Sequence, residues 1–130
     1  DGLVDIERRE DSVVVTVGSG GAFASGRAEL TPEARQIMSR IAFSAMSDGS
    51  RITVTGHTDD RPLAPGAEFR DNWGLAAARS AAVVREMEGS GLLDPDRLTA
   101  ISRGETQPVA SNATPQDRER NRRIEIEIQY

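Results

Sequence analysis

The densest polar cluster in the chain is Gly56-His57-Thr58-Asp59-Asp60, directly after the alternating run Ile52 to Thr55. The ends of strands in α/β sheets are where ligands usually bind. Several chemistries compete for this cluster. His57 with Asp59 and Asp60 could hold a metal, but adjacent residues rarely converge on one ion, and the sequence has no second histidine. The two aspartates could be a hydrolase pair, but such carboxylates must face each other across a substrate, and sequence neighbours point apart. A binding carboxylate in a turn shaped by its neighbours needs neither condition. A capped polar turn with no ligand is the remaining reading.

Arg79 sharpens the choice. Leu75, Arg79 and Val83 stand at i, i+4 and i+8, on one stripe of a helix. Leu75 and Val83 should face a sheet, so Arg79 should point the same way. A desolvated guanidinium needs an anion or several acceptors. The Gly56–Asp60 turn is the nearest candidate in sequence. Two arrangements are open: an internal Arg79–Asp59 ion pair, or a split pair. In the split pair Asp59 accepts an ammonium and Arg79 grips a carboxylate with its bidentate fork. That combination recognises a zwitterion, such as the free end of an amino acid.

Other candidates carry less. The run Arg118-Glu119-Arg120-Asn121-Arg122-Arg123 is the strongest basic cluster, but it lacks interleaved aromatics for base stacking. From Gly104 to Arg123 four arginines face three acids, so a solvated face or a support for the site is expected. Ser19, Ser25, Ser102 and Ser111 have no serine-hydrolase context. Trp73 is read as a packing residue, with a ligand platform as the other possibility.

The elements that must position these groups are legible. Val4 and Ile6, then Val13, Val15 and Val17, alternate around a polar Arg8–Ser12 connection. This predicts a hairpin, or a strand with an extended lead-in. Gly18–Gly21 reads as a glycine-rich loop; no Lys-Ser/Thr follows to make it a phosphate cradle. Thr31-Pro32-Glu33 starts a helix, with Thr31 as N-cap. Its apolar face runs from Ala34 to Ala45, and Asp48-Gly49 ends it. Ile52 and Val54 form a strand; a loop with Pro62, Pro65 and Gly66 follows. A second helix spans about Asn72 to Glu88, and a turn at Asp94-Pro95-Asp96 introduces a strand at Leu98–Ser102. One helical turn starts at Thr114-Pro115, and Ile124, Ile126 and Ile128 alternate with polar residues in a last strand. The order β-α-β-α-β-β predicts an α/β two-layer sandwich, helices packed on a mixed sheet with right-handed crossovers. The expected division is a lead-in over 1–12 and a single domain over 13–130.

Composition narrows the class. The 130 residues suit one domain, and with 4% aromatics its core must be aliphatic. There is no cysteine, which excludes disulfides and thiolate chemistry and fits an oxidising compartment. A net charge of -5 argues against a nucleic-acid partner. All 16 cations are arginine. No stretch approaches the roughly 18 apolar residues of a membrane helix. The chain begins at Asp1 and not at methionine, as expected of a piece of a longer protein.

Three blocks together resemble the OmpA-like peptidoglycan-binding domains: Gly56-His57-Thr58-Asp59, Asn72-x-x-Leu75-x-x-x-Arg79, and Asn121-Arg122-Arg123-Ile124-Glu125-Ile126. The resemblance covers about Val13 to Ile128. Further features resemble the MotB-type flagellar stator subfamily: Phe23-Ala24-Ser25-Gly26, Asn72-Trp73, the long Asp59-to-Asn72 loop, and Gly104-Glu105 followed by Pro108–Asn112. The resemblance implies that Asp59 and Arg79 hold the diaminopimelate residue of a peptidoglycan stem peptide. It implies that Thr58, Asn72, Leu75 and Arg122 shape the pocket, with no cofactor and no catalysis. It further implies a periplasmic domain of a single-pass inner-membrane protein, a homodimer, and an ion-channel stator partner reached through a membrane segment outside these residues. An outer-membrane protein or lipoprotein tail with the same ligand is the alternative, and a cell-wall hydrolase a lesser one. In such proteins Asp1 to Glu10 would change order with activation. Two positions depart from the pattern. Ala76 replaces the usual serine, which would touch the helix cap or the pocket wall. Ser102-Arg103-Gly104 replaces a glycine-aromatic-glycine.

Overall fold

The structure is a computed structural model that describes residues 4–130; the start of the lead-in lies outside the described residues. Alternation of apolar and polar residues produces the strands. They are β1 (Val4–Arg8), β2 (Ser12–Gly18), β3 (Arg51–His57), β4 (Leu98–Gly104) and β5 (Arg123–Gln129). They form one sheet in the order β1-β2-β5-β3-β4. β3 and β4 run parallel and every other neighbouring pair is antiparallel, so the sheet is mixed. Of the two readings of the amino-terminal segment, the hairpin forms: β1 pairs with β2 from Val4↔Val17 to Arg8↔Val13, as an edge strand.

Helices cover one face. α1 (Ser19–Ala22) is a single turn, α2 spans Pro32–Ala45, α3 spans Asn72–Gly89 and α4 spans Pro115–Asn121. Three of the four residues expected as a glycine-rich loop, Ser19 to Gly21, are thus helical. Ser19 is held at its start by its own N–H to the Arg122 carbonyl, 2.9 Å away. Thr31 caps α2 as its sequence predicts, its Oγ1 accepting from Ala34 N at 3.2 Å. Asp71 caps α3 by accepting from Gly74 N at 2.9 Å. The inward residues of both long helices meet Val13, Val15, Val17, Ile52, Val54, Ile124, Ile126 and Ile128 in an aliphatic core. The opposite sheet face carries Thr53, Thr55, Glu125 and Glu127, all partly exposed. The expected two-layer sandwich is what forms.

α3 lies unusually close to β3. A Cβ placed on Gly56 would stand 2.5 Å from the Ala76 carbonyl oxygen and 2.7 Å from Ser80 Oγ. Ser80 is fully buried and donates to the Ile101 carbonyl at 2.8 Å, which pins α3 to β4 as well. Ala76 therefore serves this helix–strand contact; it neither caps α3 nor lines the cleft described below. The other departure, at Ser102 to Gly104, packs on Trp73. Ser102 Oγ donates to the Trp73 carbonyl at 2.9 Å, and the indole covers Gly104, which sits at φ +53°. Gly56→Ala should lower stability by about 1–3 kcal/mol, because helix backbone cannot yield to the new methyl group. A fall in urea midpoint with unchanged slope checks this; an unaltered midpoint would show that α3 can lift away.

Candidate functional site

Arg79 sits two turns into α3, on the stripe with Leu75 and Val83. All three are buried, Arg79 to 5% exposure. Its guanidinium does not meet Asp59. Nε donates to the Arg27 carbonyl at 2.7 Å and Nη2 to the Ala24 carbonyl at 3.3 Å. The Phe23 ring lies over the guanidinium carbon, 4.8 Å from centroid to Cζ. Among the described residues no carboxylate lies in ion-pair range of Arg79. Burial, and then the nearby Arg122, pull its pKa down from 12.5 to about 10. It is still a cation at neutral pH.

Asp59 lies beyond the end of β3 and is 8% exposed. Its Oδ1 accepts from Arg61 N at 3.0 Å, which folds the turn back on itself. Its Oδ2 accepts from Arg122 Nη1 at 2.6 Å. The internal Arg79–Asp59 pair is therefore absent, and Arg122 is the partner instead. Thr58 N donates to the Gly104 carbonyl at 2.8 Å, fixing the turn to the exit of β4. Asn72 Nδ2 donates to the carbonyls of Asp59 and Arg61, at 3.3 and 3.0 Å, so the start of α3 is tied to the same turn.

These groups line one cleft of about 850 Å³. All six residues singled out in the sequence border it: Thr58, Asp59, Asn72, Leu75, Arg79 and Arg122. Sequence reasoning missed the rest of the wall, which comes from Ser19, Gly20, Phe23, the Ser25–Arg27 stretch and the Arg61–Glu68 loop. Ser19 Oγ is buried there without a hydrogen-bond partner. The need of a buried guanidinium for several acceptors was the signal available; which acceptors it finds depends on chain 52 and 55 residues away. Trp73 does not border the cleft; it is half exposed, with Gly104 under one face.

The two expectations for the basic run divide it: Glu119 and Arg120 are solvated, while Asn121 to Arg123 support the site. Asn121 is fully buried and Arg123 is 5% exposed. Asn121 Oδ1 accepts from the backbone N–H groups of Val109 and Ala110, and Nδ2 donates to the Ala110 carbonyl and Asn112 Oδ1. Arg123 donates to the carbonyls of Asn121 and Gln107 and to Glu125 Oε2. The other oxygen of Glu125 stands 3.2 Å from His57 Nε2. A carboxylate only accepts, so the ring proton is on Nε2. His57 is therefore a buried strut between β3 and β5, outside the cleft lining.

Residues 22–122 match the model of the OmpA family, and the chain belongs to that family. A solved MotB-like protein from Desulfovibrio vulgaris superposes with a TM-score of 0.90 at 33% identity, over 98% of this chain and 82% of that one. The cell wall anchor of the T6SS from Pseudomonas aeruginosa gives 0.89 at 36%, over 98% and 88%. Peptidoglycan-binding protein ArfA of Mycobacterium tuberculosis is 32% identical over 121 residues, which is 92% of this chain and 35% of ArfA. The chain spans about half or less of the length of the curated relatives it matches, 50% in the case of a Bacillus subtilis protein and 35% in that of ArfA.

The His57 hydrogen bond, with Arg123 adding to it, holds the Glu125 carboxyl at about 2, below the ordinary 4.5. A depressed carboxylate stabilises the fold fully above its unfolded value and loses that contribution as pH falls towards its folded one. Glu125→Gln should thus be less stable than the parent at pH 7, and the gap should close between about pH 4.5 and pH 2. Urea midpoints at several pH values measure it. A gap that stays constant with pH would show that Glu125 acts by packing alone.

Proposed function

We propose that this domain binds the stem peptide of peptidoglycan without catalysis and anchors a larger assembly to the cell wall in the periplasm. The observation that carries the reading is a buried Arg79 with no carboxylate partner among the described residues, sharing one cleft with the Asp59 carboxylate. An amino acid end with both charges, such as diaminopimelate, meets both: its ammonium on Asp59, its carboxylate on Arg79. Thr58, Asn72 and Leu75 shape the wall, and Arg122 orients Asp59. The family match and the peptidoglycan- and wall-related relatives support this reading. His57 is buried against Glu125 and outside the cleft, which leaves it badly placed as a base for hydrolysis.

For the parent assembly, the likeness to a MotB-like protein supports a flagellar stator; a homodimer beside an ion-channel subunit is what the MotB-type resemblance implies for it. The nearly equal likeness to a T6SS anchor favours a second reading, in which the same module ties a different envelope machine to the wall.

Arg79→Ala should reduce co-sedimentation with purified sacculi by roughly 10- to 100-fold, matching about 1.5–3 kcal/mol for a charge-assisted hydrogen bond. Arg118, whose Nη1 supports the Asn112 carbonyl at 2.9 Å, is a poor control; Arg120, 65% exposed, should cost under about 1 kcal/mol. Arg79→Lys and Asp59→Asn should also weaken binding, and melting curves must accompany each variant because Arg79 satisfies two carbonyls. Full binding by a folded Arg79→Ala or Asp59→Asn protein, or release of soluble muropeptides by the parent, would overturn the proposal.

A further inference from the structure

We infer that the Phe23–Arg27 segment is a positioning collar that leaves only the end-on edge of Arg79, Nη1 with Nη2, for a ligand carboxylate. This rests on the proposed binding of diaminopimelate, and it assigns a role to the Phe23-Ala24-Ser25-Gly26 run. A guanidinium offers a carboxylate two forks. One is the side edge, formed by Nε–H and a proton of Nη2; the other is the end, formed by Nη1 and Nη2. Here the side edge is occupied. Nε–H goes to the Arg27 carbonyl at 2.7 Å and Nη2 to the Ala24 carbonyl at 3.3 Å. Both acceptors belong to one tight turn, in which Arg27 N donates back to the Ala24 carbonyl at 3.0 Å. Gly26 takes φ +70°, the left-handed value that the third residue of a type II turn requires.

Phe23 closes the remaining freedom. Its ring, 2% exposed, covers the guanidinium 4.8 Å from Cζ, so the plane of the fork is set by a cation–π contact. Phe23 is itself held by a bridge to Leu30 and by its N–H to the Ser19 carbonyl at 2.9 Å. The turn is thus fastened at both ends before any ligand arrives. A fork fixed in advance loses less freedom on binding than a mobile one.

The test is NMR of the arginine side chains during titration with meso-diaminopimelate. In the free protein the Arg79 Nε–H should exchange slowly. On titration its shift should hold while the Nη resonances move. Phe23→Leu should weaken diaminopimelate binding by about 3- to 30-fold, as expected for a desolvated cation–π contact, and Phe23→Tyr should restore most of it. Gly26→Ala offers a second perturbation. A methyl group there meets nothing within 4 Å, so it strains only the turn, and it too should weaken binding in a protein that still folds. A fast-exchanging Nε–H in the free protein would overturn the collar without reference to ligand. So would an Nε–H that leaves the Arg27 carbonyl when diaminopimelate binds, or parent-like affinity in folded Phe23→Leu and Gly26→Ala variants. If no resonance of the parent responds, the peptidoglycan reading itself falls and the collar's role in it falls too.

Discussion

A guanidinium brought out of water must keep its protons bonded, and in this domain that requirement falls on Arg79. Desolvating a charge costs several kcal/mol even after relaxation. Carbonyl dipoles offset part of that cost without cancelling the charge, whereas a carboxylate would cancel it. The domain uses carbonyls, from Ala24 and Arg27. The consequence is a residual positive centre at the floor of the cleft. The surrounding architecture follows from this. α3 must lie close to the sheet around Ala76 and Ser80 to bury Arg79 two turns in, which the missing side chain at Gly56 permits. The chain between β2 and α2 must return over the cleft to deliver two carbonyls. Asp59 must be kept from collapsing onto Arg79, and Arg122 holds it at 2.6 Å.

Much of this frame is local, and local features are readable in a sequence. Thr31-Pro32 announces the start of α2, and Ile124, Ile126 and Ile128 announce β5, because each pattern is completed within a few residues. The inward stripe of α3 is readable for the same reason, and it placed Arg79, Leu75 and Val83 on the buried side. Partners are another matter. Asp59 and Arg122 are 63 residues apart, and Arg79 reaches back 52 residues to Arg27. No periodicity encodes such distances; the sheet order β2-β5-β3 brings them together. The nearest polar turn in sequence was therefore the wrong partner for Arg79, although the right neighbour across the cleft.

The basic run shows the same limit from the other side. Charge balance over Gly104 to Arg123 suggests a wet surface, yet two members are buried. What composition does not reveal is backbone demand. The connection from Gly104 to α4 has few regular hydrogen bonds, so its N–H and carbonyl groups need side-chain partners. From the junction of α4 with β5, Asn121 answers three of them and the Asn112 side chain, and Arg123 answers the Gln107 carbonyl. Arg122, between them, is the one that turns towards the cleft. Its position is thus inherited from two buried neighbours, and Asn112, held by Asn121, also accepts from Asp60 N at 3.3 Å. The carboxylate turn and the basic run are one connected structure.

Charge on the cleft runs against charge on the chain. The whole sequence carries -5, yet the cleft is bordered by Arg27, Arg61, Arg79 and Arg122 against Asp59 and Glu68. At physiological salt the field of distant surface acids is screened within about 8 Å. A ligand inside the cleft therefore feels mainly this local excess of cations. A free ammonium alone would meet two carboxylates against four arginines, and one of the two, Asp59, is already paired with Arg122. Under the proposed reading, a ligand with one ammonium and more than one carboxylate fits better: the ammonium would share Asp59, and the carboxylates would meet Arg79 and the open face of Arg122, which is 38% exposed. The acidic stem peptide of peptidoglycan has this balance of charge.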